Sequence, residues 1–144
     1  EDGRESKAFN VLDGQGLTQL ARSGVTVVFI TARNSIVAAN RARGLGAESY
    51  IDCRDKLACV RGIVAERGLT MEQVAFMGDD LPDLTVLREV GFAVAPASVH
   101  HWLRDLVHWV TPARGGEGAA RELCDLLLSV QGHLDALLAA ADAP

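Results

Sequence analysis

The sequence has little of what marks secreted, nucleic-acid-binding or membrane-spanning proteins. Only three of its 144 residues are cysteines, and no two form a Cys-x-x-Cys pair, so we interpret Cys53, Cys59 and Cys124 as reduced thiols that fill the core. Lys and Arg number 14 against 19 Asp and Glu, a net charge of −5 that disfavours nucleic acid or an anionic membrane as partner. Apolar runs fall short of the roughly 18 residues of a membrane span, and the polar start lacks a signal-peptide pattern. These absences predict a cytoplasmic location.

Apolar runs and helical patterns alternate along the chain. Aromatic residues make up only 5% and hydrophobic residues 49%, so the expected core is aliphatic. We predict strands at residues 7–11, 25–30, 49–51, 74–77, 92–95 and 108–111. We predict helices at residues 14–24, 35–46, 56–68, 82–90, 98–107 and 116–141. This alternation is typical of βαβ units, and it predicts one α/β domain, a three-layer α/β/α Rossmann-like fold with a parallel sheet.

Polar side chains follow several of the predicted strands. Thr31 and Arg33 come directly after the run at 25–30, and Asp79 and Asp80 come after the run at 74–77. Lys56 begins the helix that follows the short strand at 49–51. Ligands of α/β sheets bind at the carboxyl ends of the strands, so these side chains are the candidates for a functional site.

Each of these residues also has an ordinary structural explanation. Thr31 could only cap a helix, Arg33 could be a solvated surface charge, and one of Asp79 and Asp80 could be a helix cap. Lys56 is less easily explained, because a cation at a helix start is unfavourable with the helix dipole.

The run Asp79, Asp80 and Asp83 has more negative charge than a cap needs. Carboxylates this close repel one another unless a cation lies among them, and hard oxygen ligands suit Mg²⁺. A cation beside a threonine, an arginine and a lysine favours binding of a phosphate.

In this order the motifs "FITARNS", "DKLACV" and "VAFMGDDLPDLTVLREVG" resemble the haloacid dehalogenase superfamily. With "KAFNVLDGQG" and "ARGGEGAARELCDLLLSVQG", nearly the whole chain resembles the small capless phosphatases of 3-deoxy-D-manno-octulosonate 8-phosphate. Such a domain also occurs at the C-terminus of some CMP-sialate synthetases. The resemblance implies that Asp79 binds Mg²⁺, that Asp80 supports the same catalytic loop, that Thr31 hydrogen-bonds the transferring phosphoryl group, and that Lys56 neutralises it.

The same resemblance implies a sugar-phosphate substrate and a homotetramer. The implied substrate-binding residues are Asn10, Asp13, Gly14, Arg33 and Arg41. The family pattern has arginine where this chain has Leu12, Thr18 and Glu117, so we hypothesise a phosphorylated sugar other than octulosonate 8-phosphate.

The family's nucleophile lies in a D-x-D motif on a first strand that would come before Glu1. Residues 1–144 therefore correspond to a single hydrolase domain without that strand, and the aspartyl-phosphate would form on an upstream Asp. Truncation, omission and true loss of the strand stay open. The alternative function is a non-catalytic oligomerisation domain attached to or derived from a nucleotide-sugar synthetase.

Overall fold

Short strands and helices alternate along most of the chain, as the apolar pattern predicts. The structure is a computed structural model that describes residues 3–144. Its strands are β1 (Val28–Ile30), β2 (Glu48–Tyr50), β3 (Ala75–Met77), β4 (Phe92–Ala95) and β5 (Trp109–Val110). Its α-helices are α1 (Val11–Arg22), α2 (Ile36–Gly44), α3 (Lys56–Glu66), α4 (Leu84–Leu87), α5 (Ala119–Val130) and α6 (Leu134–Asp142).

The described strands form two parallel sheets. In one, β1 pairs with β2; in the other, the order is β3-β4-β5. All three strand pairs are parallel, and α2 and α4 make the crossovers from β1 to β2 and from β3 to β4. The parallel α/β prediction is confirmed, but each of β1 and β3 pairs on one side only within residues 3–144.

Helices pack on both faces of these strands. One core cluster joins Val60 and Val64 of α3 to Leu87 of α4 and to the strands β3 to β5, and Ile30 packs against it. The other joins α1 to α5, and the neighbouring residue Phe29 packs against that cluster. Successive residues of a strand face opposite sides, so the helices form outer layers around the sheets, as the three-layer prediction requires.

The first predicted strand is absent. Residues 3–10 form neither helix nor strand, and α1 begins at Val11. The side-chain oxygen of Asn10 accepts a hydrogen bond from the Asp13 amide at 3.0 Å, so Asn10 caps α1. The prediction of a strand at 7–11 was wrong because this cap starts the helix within the predicted strand.

The predicted helix at 98–107 is also absent. The segment forms turns and one 3₁₀ turn at Arg104–Leu106. The His100 amide donates to the carbonyl of Asp79 at 2.9 Å, so the segment is tied to the loop after β3. Within the segment the amides of Leu103 and Leu106 donate to carbonyls three residues earlier, so the chain forms successive tight turns in place of an α-helix.

The predicted terminal helix at 116–141 is two helices. Gly132 lies between α5 and α6 with φ +79°, a conformation that favours glycine and ends a helix. Within residues 3–144, no single helix has the length and apolarity of a membrane span. Only α5 and α6 taken together pass that test, and they are bent by 104°.

Candidate active site

A cleft of about 1110 Å³ lies between β1 and β3. Its walls are mostly apolar side chains of the two strands and of α3 and α5. Polar groups also line it: Thr31, Asp79 and Asp83 from the segments after β1 and β3, and Lys56 from the start of α3. The fold therefore brings three of the predicted site residues, Thr31, Lys56 and Asp79, into one cleft.

Thr31 is held in place by its backbone. Its amide donates to the carbonyl of Tyr50 at 3.0 Å, and its own carbonyl accepts from the Cys53 amide at 2.9 Å. Its hydroxyl oxygen accepts a hydrogen bond from the Arg33 amide at 3.2 Å. A hydroxyl that accepts in this way still has its proton to donate, and a phosphate oxygen in the cleft is a suitable acceptor.

Lys56 is the first residue of α3, which Asp55 caps by accepting from the Ala58 amide at 3.0 Å. The ammonium of Lys56 lies 2.7 Å from Oδ1 of Asp83, and the two side chains are only 14% and 6% exposed. This carboxylate compensates the unfavourable position of a cation at a helix start.

Asp83 also shapes the loop after β3. Its Oδ2 accepts hydrogen bonds from the amides of Asp79 and Asp80, at 3.0 and 3.3 Å. A Cβ on Gly78 would lie 2.4 Å from Cβ of Asp83, so only glycine fits beside it. Asp83 was expected within the cation cluster. Both of its oxygens have partners within the protein, and a role in binding the cation stays a prediction.

Asp80 and Asp79 differ in their partners. Oδ1 of Asp80 accepts from the Leu81 amide at 2.7 Å, so Asp80 caps the turn Leu81–Asp83. The carboxylate of Asp79 is exposed and has no hydrogen bond or ion pair with any described residue. Asp79 is therefore the free carboxylate of the loop, and a catalytic role for Asp80 beyond its cap stays a prediction.

The described part of the cleft offers Mg²⁺ only one free carboxylate, that of Asp79. Residues 3–144 contain no group of three His, Cys, Asp or Glu side chains able to hold a metal ion. Mg²⁺ often takes only one or two carboxylates and completes its shell with water and substrate phosphate. A single unpartnered carboxylate in a cleft beside a lysine and a threonine matches that pattern.

Four of the five predicted substrate residues gather at the start of α1, away from the lining of the cleft. Asn10 is the cap, and Oδ1 of Asp13 accepts from the Arg121 amide at 2.9 Å. The guanidinium of Arg41 lies 5.4 Å from the ring centre of Phe9, and its buried Nε has no hydrogen-bond partner.

A Cβ on Gly14 would lie 2.3 Å from Nη2 of Arg41, so glycine makes room for that guanidinium. Arg33, by contrast, is exposed and lies neither in the lining of the cleft nor among the residues at the start of α1. The substrate-binding roles of all five residues stay predictions.

This fold, with its threonine, lysine and aspartate at the strand ends, is that of the hydrolases of the haloacid dehalogenase superfamily. Comparison with known proteins identifies the family within that class. The chain is 42% identical over 134 residues to the 3-deoxy-D-manno-octulosonate 8-phosphate phosphatase KdsC of Yersinia pestis, and the match covers 92% of this chain and 72% of that protein. The chain therefore belongs to the KdsC phosphatase family.

Solved structures agree with this assignment. A hypothetical protein from Xanthomonas campestris is 52% identical, with a TM-score of 0.96 over 98% of this chain and 78% of that one. The 3-deoxy-D-manno-octulosonate 8-phosphate phosphatase of Moraxella catarrhalis, solved with magnesium, phosphate and KDO, is 37% identical. Its TM-score is 0.95 over 99% of this chain and 82% of that one. No protein-family model matches the chain.

Proposed function

We propose that this protein is a Mg²⁺-dependent phosphatase whose substrate is a phosphorylated sugar acid, with octulosonate 8-phosphate the first to test. The observation that carries the proposal is the convergence of Thr31, Lys56 and Asp79 in one cleft. The relatives named as phosphatases of that sugar acid match over most of the chain, and one of them was solved with magnesium, phosphate and the sugar acid.

The nucleophile in this proposal is an aspartate on an upstream strand that occupies the cleft between β1 and β3. Both strands pair on one side only within the described residues, and apolar side chains such as Phe29 and Phe76 line the space between them. A strand there would pair with both neighbours and join the two sheets. Its carboxyl end would lie beside Thr31, Lys56 and Asp79.

In the proposed reaction the aspartate carboxylate attacks phosphorus, the ester P–O bond breaks, and the second aspartate of the upstream D-x-D motif gives its proton to the leaving sugar oxygen and recovers one from the attacking water in the next step. Water then hydrolyses the aspartyl-phosphate to free phosphate and regenerates the carboxylate. Lys56 offsets phosphoryl charge and the Thr31 hydroxyl donates to a phosphoryl oxygen. Bound Mg²⁺, with Asp79 as its ligand from this chain, supplies further neutralisation of the phosphate.

Three positions bear on which sugar is bound. Leu12 is 60% exposed, Thr18 is half-buried, and the exposed carboxylate of Glu117 lies 4.0 Å from Nε of Arg114. None of these three side chains is positively charged, whereas the family pattern has arginine at each position. Because a hydrogen bond to a charged group contributes about 1.5–3 kcal/mol, fewer arginines would weaken binding of the sugar carboxylate. Arg41, with its unpartnered Nε, is a remaining cation that we propose contacts the substrate, together with the exposed Arg33.

The test is phosphate release by the protein expressed from its complete gene. The panel is octulosonate 8-phosphate, a nonulosonate 9-phosphate and glucose 6-phosphate, each with and without EDTA. We expect EDTA to abolish activity, and Asp79→Asn and Thr31→Val to lower kcat at least tenfold. The Arg41→Met variant is expected to raise KM for the acidic sugars alone. No turnover of any substrate would refute the proposal and favour the assembly domain.

We also propose that the protein is a homotetramer. Val11, Leu12 and Ile36 expose 80%, 60% and 68% of their surfaces near the starts of α1 and α2, which is apolar area that contact with another subunit would cover. Light scattering on the purified protein measures the mass directly. A monomer at micromolar concentration would contradict this part of the proposal.

A further inference from the structure

Two cysteines beside the cleft nearly touch. Cys53 lies in the loop after β2, Cys59 lies on α3, and their sulfurs are 3.0 Å apart. A disulfide bond is about 2.05 Å long, so the sulfurs need to approach by only about 1 Å to form one. Both side chains are partly exposed, whereas the third cysteine, Cys124, is 1% exposed.

The pair bridges the two segments that hold Thr31 and Lys56. The Cys53 amide donates to the carbonyl of Thr31 at 2.9 Å. Cys59 lies three residues after Lys56, in the first turn of α3, where its amide donates to the carbonyl of Asp55 at 3.1 Å. A covalent bond between the sulfurs would therefore tie the loop after β2, which is hydrogen-bonded to Thr31, to the first turn of α3.

We propose that Cys53 and Cys59 are an oxidisable dithiol that forms an intramolecular disulfide with peroxide as oxidant, and that this disulfide lowers the activity of the adjacent site. The second half of the proposal rests on the proposed phosphatase function. The first half is independent of it.

The oxidation takes two steps. Peroxide converts the Cys53 thiol to a sulfenic acid and releases one water. The sulfur of Cys59 then attacks the sulfenic sulfur, its proton passes to the departing oxygen, and a second water leaves as the S–S bond forms. In sum, two thiols are oxidised by two electrons and one peroxide is reduced to two waters.

The surroundings of Cys59 and of Cys124 both favour the protonated thiol. Burial, and next its contact with Cys53, raise the pKa of Cys59 to about 12, so it stays a thiol near neutral pH. Burial likewise raises the pKa of Cys124 to about 12. The proposal assigns the first oxidation to Cys53, which the Cys59→Ser variant tests, and the buried Cys124 is an internal control within the same chain.

The expected effect on the site comes from the shift of about 1 Å. A misplacement of that size can cost about a hundredfold in rate where reacting groups must be aligned. Lys56 lies within the loop that this bond would close and Thr31 is hydrogen-bonded to Cys53, so the oxidised protein is expected to lose at least about tenfold of its activity.

The test treats the purified protein, expressed from its complete gene, with a small excess of hydrogen peroxide. Intact mass, a count of free thiols and peptide mapping follow, and phosphatase activity is measured on the same samples. We expect a loss of about 2 Da, a peptide that links Cys53 to Cys59, and full reversal by dithiothreitol. Cys59→Ser should instead trap the sulfenic acid as a dimedone adduct on Cys53.

The outcomes separate the two halves of the proposal. A linkage to Cys124, a disulfide between two molecules, or an unreacted Cys53–Cys59 pair would overturn the dithiol itself. A Cys53–Cys59 disulfide with unchanged phosphatase activity would overturn the effect on the site, as would equal inhibition of the Cys59→Ser variant. If the reduced protein hydrolyses nothing, the proposed function fails, while mass and peptide map still decide whether the dithiol exists.

Discussion

Replacing Asp83 by asparagine should destabilise the protein far more than a similar change at the surface. The ammonium of Lys56 lies 2.7 Å from Oδ1 of Asp83, in a pair whose side chains are 14% and 6% exposed. Removing one charge from a buried pair costs about 3–5 kcal/mol, because the other charge remains in a poorly solvated position. Asparagine has only one acceptor oxygen, whereas both carboxylate oxygens of Asp83 accept, so the substitution also removes a hydrogen-bond acceptor.

A second ion pair in the same region is a matched control. Arg61 of α3 contacts Glu89, just after α4, with Nη2 2.7 Å from Oε1. These side chains are 57% and 36% exposed, and exposed pairs contribute about 0–1 kcal/mol. Glu89→Gln should therefore cost less than about 1 kcal/mol, although it breaks a contact between the same two parts of the fold.

Urea unfolding of the two variants at neutral pH measures the difference. The m-value should not change, so the shift in midpoint gives the change in unfolding free energy. Adding Lys56→Met to Asp83→Asn should recover part of the loss, because it removes the unpaired charge. Equal costs for Asp83→Asn and Glu89→Gln, or no recovery in the double variant, would refute the reasoning from burial.

Three further predictions test the glycines, the metal ligand and a buried thiol. Gly78→Ala should lower the melting temperature, because its Cβ would lie 2.4 Å from a side-chain carbon, whereas Gly62→Ala meets nothing within 4 Å and should stabilise α3 by about 0.5–1 kcal/mol. Asp79→Asn should raise the Mg²⁺ concentration for half-maximal activity at least tenfold; an unchanged Mg²⁺ titration would exclude Asp79 as the ligand. Burial raises the pKa of Cys124 from 9.0 to about 12, so the folded state keeps this proton more tightly than the unfolded state. The resulting stability is complete below pH 9 and is lost between pH 9 and 12, by about 1.4 kcal/mol per pH unit. Urea midpoints between pH 8 and 10.5 should therefore fall less steeply in Cys124→Ala, and parallel slopes would contradict this.

The strands could be predicted from sequence because their apolar runs are local features. The run at 74–77 became β3, which begins one residue later at Ala75, and the run at 92–95 became β4 with the same bounds. The run at 25–30 contributes only Val28–Ile30 to a strand, because strand length depends on the partner and β2 has only three residues. Strand pairing involves two segments, so the length of a strand cannot be predicted from one apolar run alone.

The errors in the helices have local causes that composition hides. Asn10 caps α1 within a segment that otherwise looks like a strand, and Gly132 takes a left-handed conformation inside a continuous helical pattern. In both cases one residue outweighs the preference of its neighbours: Asn10 accepts from an amide at the helix start, and Gly132 adopts a left-handed φ that ends α5.

The location of the site could be predicted from the sequence, but the partners of its charged side chains could not. Thr31, Lys56 and Asp79 follow strand ends, and parallel strands bring such ends together. The ion pair of Lys56 joins residues 27 positions apart, so its partner could not be read from the local sequence. Once Asp83 neutralises Lys56 and Asp80 caps a turn, only the carboxylate of Asp79 stays without a partner among the acids of this loop. A cation at this loop is therefore supported by one free carboxylate in the same cleft as Lys56 and Thr31, and no longer by repulsion among three acids.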